Sequence, residues 1–219
     1  KIAYLPSYQV NDSKLSLPAT IFTRQDLGLP KTGFVFCCFS NSFKFTPATF
    51  DGWGRILKQV DSSVLLIYAD NESAKINLKK EIVLRGIQPS RLIFGERLPK
   101  LEYLARYMVA DLFLDTLPYN AGTTASDALR MGLPVLTCMG NSFVSREAAS
   151  VINAVNLPEL ITTDQEEYES LAIELATDPE KLLIIKDKLV NNLPTAPLYD
   201  TPLFTRHLES AYLTMYDRY

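Results

Sequence analysis

The sequence is short of the residues on which metal and nucleophile chemistry usually rests. Its 219 residues include one histidine, His207, and three cysteines, Cys37, Cys38 and Cys138. No CxxC or mixed Cys/His spacing occurs, so the common zinc patterns are excluded, and Ser, Cys and His are not placed for a nucleophilic triad. Cys37 and Cys38 are adjacent inside an apolar run, and we expect reduced core thiols in a cytoplasmic setting. There is no glycine-rich dinucleotide fingerprint, no Walker lysine motif and no Asp-x-Asp pair. His207 has no acid or nucleophile motif around it and reads as a surface or packing residue. Neither sign of charge dominates. The formal net charge of -3 gives no attraction for a polyanion, so neither nucleic acid nor an anionic membrane is an expected partner. No apolar run approaches bilayer length, residues 1–5 do not form a signal peptide, and an initiating methionine is absent, from which we expect a fragment of a longer chain.

What is present is a well-organised alternation. With 47% hydrophobic and 21% charged residues, the chain can bury a substantial core. Short β-rich apolar runs occupy 33–39, 63–69, 91–95, 111–116 and 133–138, each composed for burial on both faces. Amphipathic stretches lie between them at 47–60, 72–86, 100–110 and 123–132. The first is signalled by Thr46 as cap, Pro47 at the first position and Phe50, Trp53, Leu57 and Val60 on one face. Strand followed by helix, repeated, predicts an α/β fold with a parallel sheet and helices on both faces. The rest is predicted helical: 142–155, then 163–176 opened by the capping box Thr163–Glu166, then 179–191 and 202–219. Residues 1–30 carry no strong period and are expected to be a linker and incoming loop, residues 31–200 the domain, and residues 201–219 a terminal helix. Phe204, Leu208, Tyr212, Met215 and Tyr219 recur there at helical spacing, an apolar stripe expected to be only partly covered and available for self-association.

In an open parallel sheet, ligands bind beyond the carboxyl ends of the strands. The loops in that position carry Asn41 and Lys44, then Arg97, Lys100, Tyr103 and Arg106, then "LPYNAGTTASD". In the last, Gly122 admits close approach, and Thr123 and Thr124 stand at a helix start, where free N–H groups and the helix dipole suit a phosphate. Asp127 follows one turn later, on the same face, as an acceptor for ribose hydroxyls. The same residue types serve an ordinary helix cap, and spacing alone weighs the two readings evenly. For Tyr103 the competing reading is core packing, although Leu101, Leu104 and Met108 already supply an apolar stripe.

Several longer segments occur in order: "FTRQDLGLP" (22–30), "TPATFDGWGRILKQV" (46–60), "ADLFLDTLPYNAGTTASDAL" (110–129), "GLPVLTCMG" (132–140) and "LPELITTDQEEYE" (157–169). Together, from "KIAYLPSYQVND" to "LESAYLTMYDRY", they resemble the carboxyl-terminal half of the O-linked N-acetylglucosamine transferases, particularly bacterial ones with tetratricopeptide repeats. That resemblance implies the Rossmann-like second domain of a two-domain GT-B glycosyltransferase. It implies UDP-GlcNAc as substrate, a protein acceptor, no metal or other cofactor, and an amino-terminal catalytic and repeat region outside these residues. It puts Lys44, the residue expected to act in catalysis, on the diphosphate, with Asn41 beside it and Gly122, Thr123 and Thr124 at the distal phosphate. Lys100 and Asp127 fall near the ribose, and Leu98, through its backbone, with Tyr103 and Arg106 around the uracil. The chain departs from the family at Gly122 and Tyr103, where histidines are usual, at Arg130–Met131, where Trp-Ala or a similar pair is usual, and at Glu147, where valine is usual. Glycine cannot donate a side-chain hydrogen bond, so Gly122 bears on diphosphate affinity and turnover. Two alternatives stand beside this reading: transfer from UDP-glucose or another nucleotide sugar, and a catalytically degenerate nucleotide-binding scaffold.

Overall fold

A computed structural model describes residues 3–6 and 11–218. Tyr219 of the expected apolar stripe, and residues 1, 2 and 7–10 of the expected linker, lie outside the described residues. Six strands, β1 (Val35–Cys38), β2 (Val64–Tyr68), β3 (Leu92–Gly95), β4 (Leu112–Leu114), β5 (Val135–Cys138) and β6 (Ile161–Thr162), form one sheet in the order β3-β2-β1-β4-β5-β6. Every pair is parallel, and in register Cys37 faces Leu66 on one side and Phe113 on the other. All residues of β1, β4 and β5 are buried, which requires cover on both faces of the sheet. The helices α1 (Pro47–Gln59), α2 (Glu72–Leu84), α3 (Lys100–Ala105), α4 (Thr123–Arg130), α5 (Glu147–Ala154), α6 (Gln165–Thr177) and α7 (Pro179–Asn192) supply it, with α1 packed on α2 and α6, and α4 packed on α5. This is the Rossmann-like α/β architecture that the alternation of runs predicts.

The local signals act as physical chemistry dictates in α1. Thr46 accepts a hydrogen bond from the Thr49 N–H at 3.2 Å, Pro47 occupies the first turn, and Phe50, Trp53, Ile56 and Leu57 are buried. Four details differ from expectation. The two-residue strand β6 was not foreseen, because two residues are too few to show a period; it is held by pairing to Thr137 and Cys138 and by the Thr162 hydroxyl, which donates to the Thr137 carbonyl at 3.0 Å. Since β6 keeps the chain extended there, the cap of α6 moves one residue on. Asp164 accepts from the Glu167 N–H at 2.8 Å, while the Glu167 carboxylate accepts from Thr163 N–H at 3.1 Å.

The third difference concerns 100–110, where α3 tightens into a 3-10 turn over Arg106–Val109. That tightening rotates Tyr107 inward beside Leu104 and leaves Leu101 and Met108 exposed, so the stripe expected of these two is not core. The fourth is at 142–155, where a capped 3-10 turn, Phe143–Ser145, precedes a shorter α5. At the end of the chain α8 (Thr201–Asp217), capped by Asp200, buries no residue fully. Phe204 and Leu208 are half-buried, whereas Tyr212 and Met215 remain 57% and 45% exposed.

Candidate functional site

The strand order reverses between β1 and β4, and the loops that leave their carboxyl ends face each other across the resulting crevice. The loop after β1 makes a 3-10 turn, Ser42–Lys44, that brings Lys44 inward. Its Nζ donates to the Asn120 carbonyl at 2.8 Å and lies 4.0 Å from the Tyr119 ring centroid. Burial lowers the Lys44 pKa, while the carboxylates of Asp115 and Glu147 oppose the shift. The loop after β4, with a cis Leu117–Pro118 bond, is clamped from below by Asp115. That buried carboxyl accepts from Thr116 N–H, Ala121 N–H and the Thr137 hydroxyl, each at 2.7 Å. Burial pushes its pKa up to about 7 in spite of these bonds.

The helix start after this loop is open. Gly122 is the N-cap of α4 and no side chain caps it, so Thr123 and Thr124 occupy the first turn with their hydroxyls uncommitted to capping. Of the two readings the spacing left even, the ordinary threonine cap is therefore not what forms. Lys44, Gly122, Thr123 and Thr124, with Phe39, Asn41, Tyr119 and Glu147, line a cavity of about 480 Å³. Lys44 and the free first turn of α4 give this cavity, called the anion cavity below, donors and positive charge of the kind that suit an anion.

A second cavity of about 540 Å³ shares Phe39 and Asn41 with the first, and adds Leu98, Lys100, Tyr103 and Arg106 together with Tyr68, Asp70 and Glu96. Arg106 is 2% exposed, stacked 3.9 Å over Phe39, and donates through Nη1 to the Glu96 carbonyl at 2.7 Å. Its buried Nε has no hydrogen-bond partner among the described residues. Burial lowers its pKa. Gly95 makes room for the guanidinium, since a Cβ there would meet Nη1 at 2.6 Å. Tyr103 is half-buried and packed on the core, its hydroxyl touching that of Tyr107, and Tyr107 donates to the Thr124 carbonyl at 3.2 Å. Asp127 borders neither cavity; it is paired with Lys100 at 2.7 Å, and burial raises its pKa against that pairing.

Thus the structure brings together Asn41, Lys44, Leu98, Lys100, Tyr103, Arg106, Gly122, Thr123 and Thr124 around two joined cavities, with Asp127 held behind Lys100. Arg97 also borders the second cavity. Reading the sequence missed Asp115, Asn120 and Asp70. An acid that closes an apolar strand, as Asp115 does, was the available signal. Glu147 was noted only as a departure, and its place in the anion cavity is a finding of the structure.

A family model described as glycosyl transferase family 41 matches residues 10–208. A probable UDP-N-acetylglucosamine–peptide N-acetylglucosaminyltransferase of Arabidopsis thaliana is 33% identical over 224 residues, covering 99% of this chain and 23% of that protein. A UDP-N-acetylglucosamine–peptide N-acetylglucosaminyltransferase of Caenorhabditis elegans is 33% identical over 197 residues, covering 90% of this chain and 17% of that protein. Among solved structures, a mutant O-GlcNAc transferase of Thermobaculum terrenum superposes with a TM-score of 0.80 at 32% identity, over 84% of this chain and 36% of that one. The chain spans less than a quarter of the length of these two curated relatives.

Proposed function

The chain belongs to glycosyl transferase family 41, and from that membership we propose that it is the UDP-sugar-holding part of an inverting glycosyltransferase that moves N-acetylglucosamine from UDP-GlcNAc to Ser or Thr hydroxyls of proteins. The observation that carries this reading is the pairing of two cavities that share Phe39 and Asn41: one holds Lys44 and the uncapped start of α4, the other Leu98, Lys100, Tyr103 and Arg106. A nucleotide is a ligand with that division, a planar base at one end and phosphates at the other. In our reading the uracil lies against Tyr103, Arg106 and the Leu98 backbone, and Lys100 takes the ribose, with Asp127 holding Lys100 from behind rather than reaching the ribose itself. Asn41, Lys44, Thr123 and Thr124 hold the diphosphate.

Charge accumulates on the diphosphate as the sugar departs. Lys44, anchored on the Asn120 carbonyl, and the N–H groups of α4 are fixed donors for that charge, so they favour the transition state over the bound substrate. Lysine and helix start do here what a divalent ion does elsewhere, and we propose a metal-independent reaction. The proton acceptor for the hydroxyl and the protein-acceptor groove are assigned to an amino-terminal region beyond these residues, and the half-covered face of α8 to contact with that region or with a second copy. We place the protein in the cytoplasm, supported by three buried free cysteines. Among the described residues no helix is long and apolar enough to cross a membrane.

Calorimetry with UDP, ADP and GDP tests the reading. UDP is expected to bind best, Lys44→Ala to weaken it, and chelation of divalent ions to leave it unchanged; equal affinity for all three nucleotides removes the uridine assignment. Competition between UDP-GlcNAc and UDP-glucose then identifies the sugar.

A further inference from the structure

Glu147 is an acid inside an anion cavity. It stands at the first position of α5, just after the Ser142–Ser145 capped turn, and lines the same cavity as Lys44, Thr123 and Thr124. Among the described residues its carboxyl is held by no hydrogen bond; it acts on Lys44 as a charge, and Lys44 acts on it. Desolvation raises its pKa, and the Lys44 ammonium opposes that shift. An acid in the first turn of a helix is favourable for the helix, and that alone could explain its position. It does not explain why the carboxyl borders the cavity into which the α4 start and Lys44 also face.

Resting on the nucleotide-sugar reading above, we propose that Glu147 separates substrate from product: its carboxylate accepts a distal phosphate that carries a sugar and disfavours the terminal phosphate of the free nucleoside diphosphate. The two ligands differ in the chemistry they present there. In the nucleotide sugar the distal phosphate is esterified and keeps one negative charge, and the sugar brings hydroxyl and amide donors that a carboxylate can accept. In free UDP the same phosphate is a monoester-like terminal group with a second ionisation near pH 6, so above neutrality it carries an additional charge. That additional charge meets Glu147 in a partly desolvated cavity, where like charges repel more strongly than in water. The carboxylate therefore weakens the product more than the substrate and assists release of UDP.

The test is a titration of the full chain, at fixed pH above neutrality and without divalent ions, with UMP, UDP and UDP-GlcNAc, repeated for Glu147→Gln, Glu147→Val and Glu147→Asp. Glu147→Gln and Glu147→Val are expected to tighten UDP about fivefold, to leave UMP unchanged because it does not reach the distal position, and to leave UDP-GlcNAc unchanged or weaker. Glu147→Asp keeps the charge and is expected to keep most of the wild-type ratio. If UDP and UDP-GlcNAc shift by the same factor, or if only the melting temperature moves, Glu147 serves the helix and the proposal falls while the nucleotide site stands. If UDP does not bind the unmodified chain, both fall.

Discussion

Two arginines at opposite ends of the sheet are both partly withdrawn from water, and they use their donors differently. Arg91, at the amino-terminal edge, directs Nε to the Ser63 carbonyl at 2.7 Å and Nη2 to the Leu57 and Val60 carbonyls and the Ser63 hydroxyl at 2.7, 2.9 and 2.8 Å. Arg106, at the carboxyl-terminal edge, donates to the Glu96 carbonyl, and among the described residues its buried Nε has no partner. Burial lowers both pKa values. The cavity beside Arg91 is the larger, about 920 Å³ against about 540 Å³ beside Arg106. Volume therefore does not mark the site. The use of the donors differs instead: Arg91 commits Nε and Nη2 to the backbone of its own fold, whereas Arg106 stacks on Phe39 beside a cavity that Asn41, Lys100 and Tyr103 also line. One end of the sheet is closed by its own hydrogen bonds, and the other is left less complete, with Lys44, Lys100 and the uncapped start of α4 beside open cavities.

The largest effect that would test this contrast is a pH effect under the incomplete end. Asp115 has its pKa raised from 3.8 to about 7, so between those values the folded chain holds a proton that the unfolded chain has released. Stability should then fall as pH rises from about 4 to about 7, by on the order of 4 kcal/mol for this group, with the full penalty present above that window. Urea unfolding across the range, compared with Asp115→Asn, checks it: the difference between the two proteins should carry this slope. A slope of opposite sign would mean that the clamp on the loop after β4 favours the ionised acid.

Next comes Arg91→Ala, expected to destabilise the fold by about 2–3 kcal/mol because it leaves buried carbonyls unpaired. UDP affinity measured on the folded fraction should not change, and a loss there would erase the distinction between the two ends. Lys44→Ala should do the reverse, weakening UDP about 10- to 100-fold with little change in melting temperature. A smaller effect is expected of Gly122→His, which adds a side-chain donor at the uncapped start of α4 and should tighten UDP about threefold to tenfold by calorimetry. Least of all, Tyr212→Asp combined with Met215→Asp on α8 should leave UDP binding unchanged and shift sedimentation of any self-associated species toward monomer.

Much of the sheet was legible because its strands are buried on both faces, and burial of that kind leaves a compact apolar run in the sequence. The run at 33–39 and strand β1 differ only at the ends. What escaped was decided by neighbours. β6 is a strand because Thr137 and Cys138 lie beside it, and the inward turn of Tyr107 follows from a 3-10 tightening that no spacing announces. In the site, Lys44, Thr123 and Thr124 could be picked out because parallel topology fixes which loops gather at one edge. Asp115 offered only its place at the end of an apolar run, and Glu147 offered nothing, since a carboxylate looks the same in a sequence whether it is solvated or facing a cavity.

The two cavities also differ in how much of the chain must be in place before they exist. Every residue around the Arg106 cavity lies between Phe39 and Arg106, so three consecutive strands and their loops are enough to build it. The anion cavity joins Lys44 to Asn120, a contact across 76 positions, and reaches on to Glu147. It closes only when β4 docks beside β1, the longest-range event in the centre of the sheet and one that must await costly loop closure. A partly folded chain can thus possess the Arg106 cavity before the Lys44 cavity exists. A diphosphate that binds across the crevice would hold the early and late parts of the sheet together, so its stabilising effect should be concentrated on the last seam to form and the first to open.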